Sequence, residues 1–98
     1  MALNIKWTKR AKINFGKIVK HLESSFGEKT AKAFVQKSFV ITEILSEYPQ
    51  IGSVEINEKK VRGIIITKHN KLFYRFNENE IIILNIFDTR QDPKEKRL

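Results

Sequence analysis

Residues 61–92 have the sequence VRGIIITKHNKLFYRFNENEIIILNIFDTRQD, and the predicted fold is built around this stretch. Its β-branched and aromatic residues predict three β-strands. Two short polar segments interrupt them, and we predict tight turns at His69 and Asn70 and at Glu78 and Asn79, because asparagine tolerates the positive φ that two-residue hairpins require. The stretch should therefore form an antiparallel meander.

Side chains alternate along a strand, which divides the meander into two faces. One face is almost wholly apolar and is expected to pack on helices: Val61, Gly63, Ile65, Thr67, Leu72, Tyr74, Phe76, Ile81, Ile83 and Phe87, with Asn85 as a polar exception. The other, which we call the mixed face, combines basic and apolar residues: Arg62, Ile64, Ile66, Lys68, Lys71, Phe73, Arg75, Ile82, Leu84, Ile86 and Asp88, followed by Arg90 if the strand continues. A register slip of one residue would exchange the two sets.

A first strand and two helices are predicted before the meander. Residues 3–7 alternate as a short strand, and Thr8 can cap a helix over residues 9–24, whose apolar residues recur every three or four positions. Gly27 is expected to end this helix in a left-handed conformation, and Pro49 to end a second helix. The short connection predicts that the two helices form an antiparallel hairpin.

The predicted fold class is α+β, in the order β-α-α-β-β-β, with the helical hairpin packed on one face of a small, mainly antiparallel, twisted sheet. The 98 residues are expected to form one domain, residues 1–98. Residues 53–60 leave two alternatives open, a short edge strand or a mobile loop.

The composition limits the possible partners and sites. The chain has a net charge of +8 and a pI near 9.9, which attracts polyanions and acidic protein segments. It has no cysteine, which excludes disulfides and thiolate metal sites and fits a reducing compartment such as the cytoplasm. No apolar run approaches the ~20 residues of a membrane span. We predict no metal and no cofactor.

The mixed face is the predicted binding surface. A strand that is apolar on both faces is normally covered on both, yet two helices cover only one face of the sheet. The mixed face should therefore expose apolar area rimmed by arginine, which usually marks a binding site. The alternative is that the C-terminal tail, residues 91–98, folds back over it as a lid.

Several segments resemble the RelE/ParE toxin family: WTKRA after the opening strand, YPQIG after the second helix, VRG, KHNKLFYRF and IFDTRQDP. The order of elements is also that family's fold. The resemblance implies a growth-arresting toxin of a type II toxin–antitoxin pair and an acidic cognate antitoxin that wraps it. Expected antitoxin contacts are Ile64, Ile66, Phe73, Ile82, Leu84 and Ile86. RelE-like members cleave mRNA in the ribosomal A site without a metal, whereas ParE-like members inhibit DNA gyrase.

Metal-free RNA cleavage needs a base, an acid and a cation beside the phosphate. By resemblance, Arg62 and Arg90 match arginines of the family. Arg75 is predicted on the same sheet face, where it would hold phosphate bidentately. RNase members commonly place a tyrosine or histidine after the last strand, but the tail DTRQDPKEKRL has neither. Tyr74 is predicted in the core and His69 at a hairpin tip, so neither supplies the missing group.

We therefore expect a ParE-like gyrase inhibitor. The alternative is an mRNA endonuclease that uses the three arginines, and a third possibility is a non-catalytic nucleic-acid-binding domain. Contacts with the target, either DNA gyrase or the ribosome and mRNA, are expected from Lys68, Lys71, Asp88 and Arg90.

Overall fold

The computed structural model describes residues 2–89, which form a five-stranded sheet with two helices on one face. The elements are β1 Asn4–Trp7, α1 Lys9–Phe26, α2 Glu28–Glu47, β2 Ser53–Ile56, β3 Val61–Thr67, β4 Asn70–Phe76 and β5 Glu80–Asp88. The strand order is β1-β5-β4-β3-β2, in which β1 is parallel to β5 and the other neighbours are antiparallel. The predicted α+β class is confirmed, and the open alternative for residues 53–60 is decided in favour of a short edge strand, β2.

Local capping chemistry sets the bounds of the helical hairpin. The Thr8 hydroxyl accepts a hydrogen bond from the Ala11 N–H at 3.2 Å and donates to the Ile83 carbonyl oxygen at 3.0 Å, so the cap also ties α1 to β5. Gly27 separates the helices with φ 97°, a region that residues with a Cβ rarely adopt. The first helix continues to Phe26, two residues beyond its predicted end. In the part of the chain described, neither helix is long and apolar enough to cross a membrane.

The main core lies between the helices and one sheet face. Its buried apolar residues come from both layers: Ala11, Phe34, Leu45, Ile66, Leu72, Tyr74, Ile81, Ile83 and Ile86. The rings of Trp7, Phe15 and Phe34 extend the contact, with centroid distances of 5.1 and 5.4 Å. Asn85 is buried as well, and the Asn14 side-chain amide donates to its Oδ1 at 2.6 Å. That bond satisfies a polar group in the interior.

The β3–β4 turn lies one residue earlier than predicted. Thr67 pairs with Asn70, so Lys68 and His69 form the turn. The prediction assumed a positive φ at the turn, but Lys60 is the only non-glycine residue with a positive φ within residues 2–89. Asn70 instead joins β4 and donates its side-chain amide to Thr67 Oγ1 at 2.8 Å. Because of this shift, the β3 side chains before Thr67 lie on the sheet face opposite to the one predicted.

The placement of Ile64, Ile66 and Ile86 on the mixed face is therefore wrong, since all three face the helices. Ile66 and Ile86 are each only 1% exposed. The turn shift explains the two β3 residues. Ile86 changes sides because the register between β4 and β5 shifts at Phe73 and Tyr74. Other predicted members of the mixed face do lie on the sheet face away from the helices, which we call the rear face: Lys71, Phe73, Arg75, Ile82 and Leu84.

The rear face has a small apolar cluster of its own. Val61, Phe73 and Phe87 are buried there, with Ile56 and Leu84 packed against them. Val61 and Phe87 were predicted for the helix-facing side, and the same register changes move them. The β2 edge strand supplies Ile56, so the sheet covers part of the area that was predicted to be open.

Candidate functional site

Arg62, a predicted phosphate ligand, binds the protein's own backbone. Its Nη1 donates to the carbonyl oxygens of Gln50 at 3.0 Å and Gly52 at 2.9 Å. The guanidinium carbon also lies 5.9 Å from the centroid of the Phe76 ring. Because β3 is shifted by one residue against β4, Arg62 and Arg75 lie on opposite faces of the sheet. Arg62 therefore holds residues 48–52, the α2–β2 loop, against the sheet.

The Tyr74 hydroxyl closes the same loop. It donates to the Pro49 carbonyl oxygen at 2.6 Å and accepts from the Gly52 N–H at 3.0 Å. Burial raises the pKa of Tyr74 above its ordinary value of 10.0, although the Gly52 N–H and the positive charge of Arg62 act in the opposite direction. The phenol is thus protonated at neutral pH and its proton is used by the fold. Tyr74 lies in the core, as predicted.

Lys71, a predicted target contact, is held on the rear face by an ion pair. Its Nζ lies 2.9 Å from Glu55 Oε1 on β2 and 5.6 Å from the centroid of the Phe73 ring. The Ser53 hydroxyl donates to the other carboxylate oxygen of Glu55 at 2.5 Å. The ion pair therefore links β4 to β2 across the intervening strand β3, at Gly63, whose missing side chain leaves room for both partners.

Two of the remaining predicted target contacts, Lys68 and Asp88, are at one end of the sheet. Lys68 is exposed in the β3–β4 turn, and Asp88 pairs with Asn70 at the end of β5. Arg90 and the predicted lid, residues 91–98, lie outside the described residues. The structure therefore does not bring Arg62, Arg75 and Lys68 together at one point.

Arg75 is exposed on the rear face beside the β2–β3 turn. It lines a shallow groove of about 410 Å³ together with two lysines of that turn, Lys59 and Lys60. The other lining residues are Glu58, Val61 and Leu84. Lys60 adopts φ 56°, a left-handed conformation that is uncommon for a residue with a long side chain. Three cations thus meet around one groove.

A larger groove, which the sequence did not predict, lies where the helices meet the β3–β4 turn. It has a volume of about 720 Å³, and its apolar lining includes Ile18, Leu22, Phe26 and Phe34. Its polar lining includes Lys17, His21, Lys37, His69 and Asp88. We call it the helix groove. Ile18 and Leu22 belong to the apolar stripe of the first helix and both pack on the core and line this groove, and Phe26 lies two residues beyond the predicted helix end. A longer first helix would have shown that the stripe extends past the sheet.

The family model of the ParE toxin of type II toxin–antitoxin systems, parDE, matches residues 5–93. This chain belongs to the ParE toxin family. It is a type II toxin, as the predicted resemblance implied. A search of curated protein sequences finds no match.

Solved structures agree with the family assignment at the level of the fold. A chain of the chromosomal ParDE toxin–antitoxin system from P. aeruginosa has a TM-score of 0.75 at 22% identity, covering 91% of this chain and 98% of that one. A chain of the RelBE2 toxin–antitoxin complex from Mycobacterium tuberculosis has a TM-score of 0.63 at 17% identity, and the match covers 90% of this chain and 99% of that one. A chain of the YoeB-YefM toxin–antitoxin complex from Staphylococcus aureus has a TM-score of 0.58 at 16% identity, and the match covers 89% of this chain and 97% of that one.

Proposed function

We propose that this ParE-family toxin arrests growth by inhibiting DNA gyrase in the cytoplasm, and that an acidic antitoxin neutralises it. The observation that supports a non-nuclease action is that the fold itself uses Arg62, a predicted catalytic group, and also the hydroxyl of Tyr74, which lies in the core as predicted. Arg62 is occupied by two loop carbonyls, and the Tyr74 proton by a third. Because these groups are already hydrogen-bonded within the protein, they favour a toxin that acts by binding its target rather than by cleaving RNA.

Cleavage without a metal requires an acid, a base and a cation that converge on one phosphate. Arg62 and Arg75 lie on opposite faces of the sheet and cannot hold the same phosphate. Lys71 is paired with Glu55 at 2.9 Å. The groove beside Arg75 on the rear face is lined by positively charged side chains. Among the described residues, its lining includes neither histidine nor tyrosine.

The helix groove is the proposed docking site for an amphipathic, acidic segment of the antitoxin. Its apolar lining suits the apolar side of a helix, and Lys17 and Lys37 at its rim suit carboxylates. Such pairing of charges speeds association and fixes the orientation of the partner. Ile82 and Leu84 remain proposed antitoxin contacts on the rear face, with Ile65, exposed by 62%, on the same face; Phe73, also proposed, is buried there beneath the surface that the antitoxin would cover.

A supercoiling assay with purified DNA gyrase and relaxed plasmid tests the target directly. We expect the toxin to inhibit supercoiling and to leave mRNA intact in a parallel assay with purified ribosomes and a defined message. Normal supercoiling together with A-site cleavage would refute gyrase inhibition.

The mRNA endonuclease is the second candidate, because Arg75, Lys59 and Lys60 meet around one groove. It predicts that Arg75→Ala abolishes cleavage, whereas Lys20→Ala, an equal loss of charge on the exposed side of α1, does not. The two assays together separate the two functions, because each function predicts activity in only one of them.

A further inference from the structure

The outer surface of α2 exposes a contiguous apolar groove. Phe39, Val40, Ile44 and Tyr48, which we call the α2 patch, are exposed by 59%, 58%, 42% and 61%. Val40 and Ile44 are four residues apart and so lie on one side of the helix, and Tyr48 follows as the C-cap residue directly after it. Together with Glu43 and Glu47 they line a groove of about 480 Å³. Single exposed apolar residues are ordinary, but a continuous apolar groove indicates a docking surface.

Charge along α2 is divided between its two halves. Residues 28–37 carry three lysines and one glutamate, and that glutamate, Glu28, pairs with Lys32 at 3.0 Å. Residues 38–47 carry two carboxylates, Glu43 and Glu47, and no cation. The groove is thus acidic in a chain with a net charge of +8. Its occupant must be apolar and must carry cations on its flank.

We infer that the α2 patch binds a second copy of this chain, with the two α2 helices packed antiparallel around a twofold axis. Val40 of each copy then lies opposite Ile44 of the other. The same register places Lys37 opposite Glu47, since the two members of each pair lie equally far from residue 42, on either side of it. An isologous contact uses the same residues twice, so the apolar centre is flanked by two ion pairs. The acidic half of each helix meets the basic half of its counterpart.

The contact leaves the fold unchanged and is modest in size. The residues that α2 buries in the core, such as Phe34, Ser38 and Leu45, lie on the opposite side of the helix. A 20-residue helix is about 30 Å long, and pairing along part of it gives an interface at the small end of specific contacts. We therefore expect a dimer that dissociates in the micromolar range. Self-association does not depend on which target the toxin inhibits.

Sedimentation of the full chain in 0.15 M salt, where charge repulsion is screened beyond about 8 Å, tests the dimer. The weight-average mass should rise from 11.5 kDa toward twice that value between roughly 5 and 200 µM, the range of weak interfaces. Lys37→Glu or Glu47→Lys alone should weaken association about tenfold because like charges then face each other. The double variant should restore it. Lys20→Glu and Glu23→Lys make the same charge changes on α1 and should leave association unchanged.

Cysteine pairing tests the register, since the chain has no cysteine of its own. A mixture of Val40→Cys and Ile44→Cys chains should form disulfide-linked dimers faster than either variant alone. A chain that stays monomeric at 200 µM, a double charge variant as weak as the single ones, or equal cross-linking of the separate variants would overturn the inference. The α2 patch would then belong to a different partner.

Discussion

Gly52 is where the structure makes its sharpest stability prediction. A Cβ on this residue would lie 2.5 Å from the Tyr74 hydroxyl oxygen and 2.8 Å from the Gly63 carbonyl oxygen. The first atom terminates a buried ring and the second belongs to the β3 backbone, so neither can move away cheaply. Gly52→Ala should therefore displace the α2–β2 loop and break the bonds that Tyr74 and Arg62 make to it.

The expected cost follows from two contributions. Overpacking a tight site costs about 1–3 kcal/mol, and a buried N–H that loses its partner costs about 1–3 kcal/mol. We expect the free energy of unfolding to fall by about 3 kcal/mol. For a domain of this size that corresponds to a drop in Tm of roughly 10–20 °C.

Urea denaturation followed by Trp7 fluorescence measures the effect, and Gly16→Ala is the matched control. Gly16 lies in α1, and a Cβ there would meet nothing within 4 Å. Alanine at that position should raise stability by about 0.5–1 kcal/mol, because glycine is costly inside a helix. If Gly52→Ala changed the unfolding free energy by less than about 0.5 kcal/mol, which is within the usual effect of a surface substitution, the close packing of the loop on Tyr74 would be wrong.

Three further predictions concern the same structure. Because the pKa of Tyr74 is raised in the folded state, its contribution to stability should be fully present below pH 10.0 and be lost as the pH rises through the folded-state pKa. The free energy of unfolding should therefore fall less between pH 9 and pH 11 in Tyr74→Phe than in the wild type. Equal losses in the two proteins would contradict a role for the Tyr74 proton in stability. Thr8→Ala should lower the free energy of unfolding in urea by about 1–2 kcal/mol, at the upper end for an N-cap, because the hydroxyl also bonds to β5. A loss below about 0.5 kcal/mol, the level of a neutral surface change, would contradict the hydrogen bond between Thr8 and the sheet. Lys17→Glu, which lies outside the α2 patch, should weaken antitoxin binding about tenfold in calorimetry, whereas Lys20→Glu should not, and equal affinities would remove the helix groove as the antitoxin site.

Local signals were sufficient for the helices. The threonine cap, the glycine between the helices and the proline after α2 act through neighbouring residues, so the sequence predicted their positions to within two residues. The family resemblance also depended on short segments in a fixed order. The matching ParE model confirms it.

The faces of the sheet required information that short segments do not contain. A one-residue change in the β3–β4 turn exchanged the sides of Ile64 and Ile65, and a register shift in β5 did the same for Ile86 and Phe87. The bond between Asn70 and Thr67 that sets the turn competes with the positive-φ turn that asparagine also permits. Both arrangements satisfy the same alternation of residues.

The sequence by itself determined the class of fold, the helical hairpin, the basic character of the surface and the toxin family. Only the tertiary structure decided what the key side chains do. Arg62 meets carbonyls that are ten and twelve residues away, and Tyr74 reaches Pro49 across 25 positions. Such contacts depend on how the layers pack, because a periodic pattern assigns a residue to a face but does not specify the atoms it meets there.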